Sequence, residues 1–415
     1  MQIDKVVDLS LTRILKFLNS LDSPQDKLKN VIHIAGTNGK GSTLSFLRSL
    51  LEHHGYSVNT FTSPHLIDYK ERFYLHGKYV TEEQINKTVS YFKTIPSYQE
   101  LTPFEAIAAL GFQLFYDYPA DYTILETGLG GRLDATNVVK SPILNIISKI
   151  GFDHQKFLGN SLAKIAFEKA GIIKKGAIVV SDYQDLEVVK VLEQVAFKNQ
   201  AKFIIGGKDY QVIQSSLQLQ TQTFNLQTLS LLGKHQHYNA ALAIASLLQL
   251  NIMLNPQAVL NALQNTKWAG RLQEVTNLYG IPNNNSTIFL DGAHNQLGGQ
   301  ALCEFIANYI IQEQIQSVHI VFGMLKTKNL ADFLQCLQGL QLTLYPVTIK
   351  DSNAYEPLDI IKVANTYNIN TNNQQNIQQS LEFINQQEEK KLIIICGSLY
   401  LLGQIMHENN YIITK

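Results

Sequence analysis

Short apolar runs rich in β-branched residues alternate along the chain with longer segments whose apolar positions recur at helical spacing. Val31-Ile32-His33-Ile34-Ala35 predicts a strand running into the glycine-rich turn Gly36-Thr37-Asn38-Gly39-Lys40-Gly41. Ser42 and Thr43 then open a helix with Leu44, Phe46, Leu47, Leu50 and Leu51 facing the core, ending near His53-His54-Gly55. Ahead of it, residues 9–21 carry a helix pattern (Leu11, Ile14, Leu15, Leu18). Further strands are predicted at 57–61, 122–125, 143–147 and 177–180. Helices are expected from about Thr81, from Leu101-Thr102-Pro103-Phe104-Glu105, and over 161–170.

Strands alternating with helices imply a parallel sheet with crossover helices. Residues 209–232 change character, with isolated Val, Ile, Leu and Phe among Gln, Ser and Thr, and predict a small antiparallel sheet. A helix follows from about His237, and 276–286 reads as a linker. A second α/β pattern then sets strands at 287–290, 318–322, 342–347 and 392–396; the Asn/Gln-rich stretch 368–388 reads as loop and solvated helix face. The expected organisation is an N-terminal domain, 1–275, and a C-terminal domain, 276–415.

At 415 residues two cores are affordable in length, and 45% hydrophobic with 16% charged residues is ordinary for a globular chain. Thirty-four basic residues balance 34 acidic ones, so no basic field argues for nucleic acid and an anionic ligand must be held locally. Cys303, Cys336 and Cys396 lack metal spacing and read as reduced core residues. Met1-Gln2-Ile3-Asp4-Lys5 carries no signal-peptide core, and no apolar run nears the roughly 20 residues that span a bilayer. A cytoplasmic protein without membrane or nucleic-acid partners is expected.

The turn at 36–41 differs from a Walker A loop, which places about four residues between its first glycine and the Gly-Lys pair. Here only Thr37 and Asn38 intervene. Its glycines, Lys40 and the helix N-terminus still supply what a phosphate needs: close backbone approach, N–H donors and positive charge. The alternative is a plain strand-to-helix turn. In parallel sheets ligands sit beyond the carboxyl ends of the strands, where Lys40, Ser63, Glu126 and His154 are all expected. A phosphate loop with a carboxylate and a hydroxyl implies a Mg²⁺-nucleotide, with Glu126 and Ser63 as first choices for the metal. Taken singly, Glu126 is also a plausible structural acid, Ser63 a turn residue, and His154 a histidine satisfied by hydrogen bonds.

Eight segments in order carry a resemblance: Gly36–Ser42, Thr62–His65, Glu126–Gly131, Asp153–Gln155, Glu168–Gly171, Gly233–Asn239, Gly270-Arg271 and Asp291–Asn295. Together they resemble folylpolyglutamate synthase and the bifunctional dihydrofolate synthase/folylpolyglutamate synthase of the Mur ligase superfamily, over residues 30–403. The resemblance implies an N-terminal P-loop ATPase domain and a C-terminal Rossmann-like α/β domain, with the active site between them. It implies ATP held by Thr37, Asn38, Gly39, Lys40, Gly41, Ser42, Asn239, Arg271, Asp291 and His294. Ser63 and Glu126 would hold one Mg²⁺ and His154 a second. It further implies that Lys169, which alone reads as a surface lysine at a helix end, is carbamylated and ligates metal. Thr102, Pro103, Phe104, Glu105, Leu133, Asp134 and Ala135 match segments that hold the pterin.

The expected activity is ATP-dependent joining of L-glutamate to dihydropteroate, to the γ-carboxylate of a folate, or to both, through an acyl phosphate. Lys40, Glu126, His154, Lys169 and Arg271 are the expected catalytic set, domain closure over ATP the expected motion, and a monomer the expected state. Two departures stand out: Gln296 occupies a position where the family often has proline, and Thr327-Lys328-Asn329 replaces Asp-Lys-Asp. A peptidoglycan-precursor ligase is the alternative within the superfamily. A nucleotide-binding regulator without ligase chemistry is the alternative from another class.

Overall fold

The computed structural model describes residues 9–220, 222–374 and 376–411 and divides into two compact units. The first comprises residues up to Ile150, Gln155–Ser230 and His237–Thr266; the second comprises Gly151–His154, Leu231–Gln236 and the chain from Lys267. The N-terminal pentapeptide considered above lies outside the described residues.

The first unit is built on an eight-stranded sheet. Its strands are β1 (Val31–Ala35), β2 (Val58–Phe61), β3 (Phe73–Leu75), β4 (Lys78–Tyr79), β5 (Tyr122–Glu126), β6 (Leu144–Ile147), β7 (Ile178–Ser181) and β8 (Lys202–Ile205). Their order is β4-β3-β2-β5-β1-β6-β7-β8. The β2, β5, β1, β6, β7 and β8 ladder is parallel, and β3 and β4 add an antiparallel edge. β1 lies centrally between β5 and β6 and all five of its residues are buried, as expected of a parallel strand covered on both faces. The β3–β4 hairpin is invisible to pattern reading because two or three residues hold no recognisable period. The helix Leu186–Lys198 and strand β8 were likewise not predicted.

Helix starts follow their caps. Thr81 and Thr102 each form a capping box, with Gln84 and Glu105 respectively, and Ser161 accepts from the Lys164 amide. Pro103 sits in the first turn of the helix Pro103–Asp117, where its missing N–H costs nothing. Phe17, Phe61, Phe73, Phe92, Phe112 and Phe115 form much of the core on this side of the sheet. A separate antiparallel sheet, β9 (Gln211–Ile213), β10 (Ser216–Gln218) and β11 (Thr223–Asn225), occupies the stretch where the sequence placed it.

The second unit carries β12 (Gln273–Val275), β13 (Ser286–Leu290), β14 (Ser317–Phe322), β15 (Thr343–Pro346), β16 (Asn370–Thr371) and β17 (Lys391–Cys396). Their order is β12-β13-β17-β14-β15-β16, parallel except for the β12–β13 pair. β12 pairs inside this sheet, so contacts begin the unit at Lys267, earlier in the chain than residue 276. Gln296 opens the helix Gln296–Glu313, where a proline would also be accepted. Asn329 caps the helix Leu330–Cys336 through the Asp332 amide, so it does there what an aspartate would do. All three cysteines are free; Cys396 is buried, whereas Cys303 and Cys336 are only half-buried. Among the described residues no helix is long and apolar enough to cross a membrane.

Two tests follow from packing and burial. A Cβ on Gly131 would lie 2.7 Å from the Lys169 carbonyl oxygen and 2.8 Å from that of Glu168, both backbone atoms with little freedom to yield. Gly131→Ala should therefore lower stability by about 1–3 kcal/mol, read as a fall in the thermal midpoint. Asp182 is buried and its carboxyl is pushed from 3.8 up to about 6, chiefly by burial. A raised carboxyl contributes stability below its unfolded pKa that is lost as pH rises through the folded value. Between pH 4 and 7 stability should fall by on the order of 1–3 kcal/mol from this group, read as a lower thermal midpoint, and Asp182→Asn should flatten that slope.

Candidate functional site

The carboxyl ends of β1, β2 and β5 bring their following loops together in the first unit. β1 ends at Ala35, and the loop Gly36–Gly39 leads into the helix Lys40–His53, which begins at Lys40, two residues before the start read from the sequence. Gly39 has φ +88°, and a Cβ there would lie 2.3 Å from Asn239 Oδ1. Glycine is thus required twice, by the backbone and by the side chain of the buried Asn239 lying against the loop. Thr37 and Asn38 donate their amides to the Lys149 carbonyl, at 2.9 and 3.1 Å, which fixes the loop from below. Gly41 and Ser42 are buried in the first helical turn.

Two lysines meet on this loop. Lys40 Nζ donates to Gly36 O at 3.1 Å and to Thr37 O at 3.2 Å. Lys169 Nζ donates to the same Gly36 oxygen at 2.7 Å. Lys169 is 5% exposed, which corrects its reading, taken alone, as a surface lysine. Two ammonium groups sharing one carbonyl repel one another, and a nearby anion relieves that repulsion. Close by in the fold, Glu126 ends β5 as a buried carboxylate and accepts from the Ser63 amide at 3.2 Å. The Ser63 hydroxyl accepts from Arg72 Nη1 at 3.3 Å.

A divalent cation fits this donor set in one particular way. Among the described residues no three His, Cys, Asp or Glu side chains gather into a metal cage. One buried carboxylate and one hydroxyl remain, the sparse oxygen set with which Mg²⁺ binds when phosphate oxygens and water complete its shell.

The two segments matched to pterin binding converge on the loop after Glu126. Phe104 lies over Gly128, where a Cβ would come within 2.3 Å of the ring, and Phe104 meets Phe61 edge-on. Thr102 and Glu105 close the capping box, and Arg13 Nε donates to Glu105 Oε2 at 3.1 Å. Glu105 Oε1 is buried and has no hydrogen-bond partner among the described residues. Asp134 is occupied internally: its oxygens accept from the amides of Gly128, Leu129 and Thr136 and from the Thr136 hydroxyl. Leu133 and Ala135 flank it, Ala135 buried.

In the second unit, Asp291 ends the extended run of β13 and ties two backbones together, accepting from Leu272 N and Ala293 N at 2.9 Å each. Arg271 Nη1 donates to Gly270 O and lies where a Cβ on Gly292 would stand. His294 turns Nδ1 to Gly292 O at 2.9 Å and Nε2 to Asp153 Oδ2 at 3.3 Å; burial and the Lys328 charge hold the imidazole below its ordinary value. His154, at φ +50°, stands 3.3 Å from Lys328 Nζ through its Nε2.

Asp153 organises that cluster, a role that its motif alone does not carry. Lys328 donates to both its oxygens, at 2.7 and 2.9 Å, and Asn295 Nδ2 donates to Oδ2 at 3.0 Å. Burial opposes ionisation, but His294, Lys328 and His154 outweigh it and hold the carboxyl well below the usual range. The signal available in sequence was its position beside His154; its partners are about 140 and 170 residues away along the chain.

Residues 34–247 match the Mur ligase middle domain, and residues 274–408 match the dihydrofolate synthetase C-terminal domain. The dihydrofolate synthase/folylpolyglutamate synthase of Bacillus subtilis is 31% identical, over 95% of this chain and 94% of its own length. A Mycobacterium tuberculosis folylpolyglutamate synthase complexed with ADP superposes with a TM-score of 0.88 at 27% identity, covering 97% of this chain and 95% of that one. The bifunctional Yersinia pestis enzyme complexed with AMPPNP and Mn superposes with a TM-score of 0.84 at 26% identity, covering 98% and 95%. With the phosphate loop, the buried carboxylate beside it and both family models in place, the chain belongs to the folylpolyglutamate/dihydrofolate synthase family of Mur ligases.

Proposed function

We propose that this chain is an ATP-dependent ligase that forms an amide between L-glutamate and a pteroate or folate carboxylate, accepting dihydropteroate, the γ-carboxylate of tetrahydrofolate, or both. The observation that carries the reading is the convergence of Lys40 and Lys169 on Gly36 O beside the buried Glu126. Lys40, the glycine-rich backbone and the helix N-terminus suit the triphosphate of ATP, and Lys169 with Glu126 beside them suits its metal.

In this reading a substrate carboxylate oxygen attacks the γ-phosphorus, and the bond to the ADP oxygen breaks. The amine of glutamate then attacks the acyl carbon, a C–N bond forms, phosphate leaves with the C–O bond electrons, and the amine loses a proton. Lys40 and the Thr37–Ser42 backbone bind and orient the phosphates, with Asn239 against the loop. Ser63 and Glu126 would hold Mg²⁺, and the chemistry it would supply there is charge neutralisation for the transferring phosphoryl group. On the second unit, Arg271, Asp291 and His294 are assigned to the nucleotide and His154 to a second metal. Thr102–Glu105 and Leu133–Ala135 hold the pterin; Glu105 Oε1, which has no partner among the described residues, suits an N–H donor of that ring.

Lys169 is assigned as a carbamate. Its amine takes up CO₂ and releases a proton, giving an anionic metal ligand in place of the second ammonium. The carbamate nitrogen keeps one N–H, so the bond to Gly36 O survives.

ADP release should require Mg²⁺-ATP, L-glutamate and a pterin substrate together. Release with dihydropteroate and tetrahydrofolate establishes both activities, and release with tetrahydrofolate alone restricts the chain to polyglutamate extension. Turnover only with a peptidoglycan precursor, or nucleotide binding with no turnover, would overturn the reading. Gly39→Ala, strained at φ +88° and pressed against Asn239, should weaken Mg²⁺-ATP binding about tenfold or more by calorimetry.

A further inference from the structure

We propose that His33 and Thr136 are positioning residues for the pterin-binding segment: they hold Asp134, and through it the backbone of Gly128 and Leu129, in the conformation that receives the substrate. This rests on the assignment of Leu133–Ala135 and Thr102–Glu105 to the pterin.

His33 sits in the middle of β1 with no solvent exposure, and its Nε2 lies 2.8 Å from Thr136 Oγ1. Thr136 Oγ1 in turn lies 2.5 Å from Asp134 Oδ1, which also accepts the Thr136 amide at 2.9 Å. The other carboxylate oxygen accepts Gly128 N at 2.9 Å and Leu129 N at 2.8 Å. Proton directions follow from the chemistry. Asp134 accepts every one of these bonds, so the single hydroxyl hydrogen of Thr136 points to it. The contact to His33 must then be made by an imidazole N–H, which places the ring proton on Nε2 and leaves Nδ1 bare.

That nitrogen is buried and has no hydrogen-bond partner among the described residues. Burial, with the Lys174 charge, lowers the imidazole to about 3, so the ring is neutral in ordinary buffers. An unpaired buried nitrogen is costly where an apolar side chain would pack. What the histidine supplies in return is one N–H aimed at the Thr136 oxygen.

The result is a rigid chain of polar groups from the central strand to the loop after Glu126. Gly128 also carries the Phe104 ring, so its position sets both pterin segments. Arrangement of the phosphate loop depends on other groups, namely the Lys149 carbonyl and the β1 ladders to β5 and β6. Loss of the brace should therefore move pterin recognition and spare nucleotide binding.

Steady-state kinetics of the full chain separate the two. Thr136→Val and His33→Leu, which remove the hydroxyl and the N–H, should raise KM for dihydropteroate about tenfold, the scale of one buried hydrogen bond, with KM for ATP within about twofold. Thr136→Ser and His33→Gln, which restore a donor at each point, should recover to within about threefold. An unchanged dihydropteroate KM in the first pair, or equal rises in both KM values, overturns the brace. Hydrogen exchange on the unsubstituted protein tests it without variants or turnover. The Gly128 and Leu129 amides should be protected like those of β1, and rapid exchange there also overturns it. Failure of the unsubstituted protein to use any pterin substrate counts against the functional assignment alone, because the exchange measurement reads the brace independently.

Discussion

Lys40 and Lys169 reach the Gly36 carbonyl from parts of the chain about 130 residues apart. Holding two ammonium groups on one oxygen, one of them almost fully buried, is unfavourable unless negative charge completes the arrangement. Glu126, buried at the end of β5, supplies one such charge. The missing Cβ of Gly131 lets the 130–132 turn rest on the carbonyls of Glu168 and Lys169, and so fixes where the Lys169 side chain starts.

A second theme is how carboxylates are used. Asp134 and Asp291 spend most of their hydrogen-bonding capacity on backbone amides of their own or neighbouring loops. Asp153 does the same for side chains, gathering Lys328, Asn295 and His294. Loops that carry ligand-binding groups need such internal ties, because a loop without a ladder otherwise leaves its polar backbone groups unsatisfied. Residues that read as contacts to substrate in a motif are thus frequently the ones that hold the motif in shape.

Much of the fold was legible. The strands β1, β5, β6, β13, β14 and β17 are short runs dominated by apolar, mostly β-branched residues, and the helices after Thr81, Thr102 and Ser161 begin where their capping residues stand. The phosphate loop was legible too, since glycines, a lysine and hydroxyls between a strand and a helix constrain each other within a few residues. Short elements were not: β3, β4 and β16 are held by pairing with longer strands rather than by their own pattern.

What the sequence determined by itself is therefore local: which runs are buried strands, where helices are capped, and that one turn is built for an anion. The tertiary structure decided which distant groups meet. Burial of Lys169 on Gly36, the gathering of Lys328 and His294 on Asp153, and the line from His33 through Thr136 to Asp134 depend on strand order and register. A parallel sheet joins strands that are far apart in the chain, and no local period encodes which loops its carboxyl edge will place side by side.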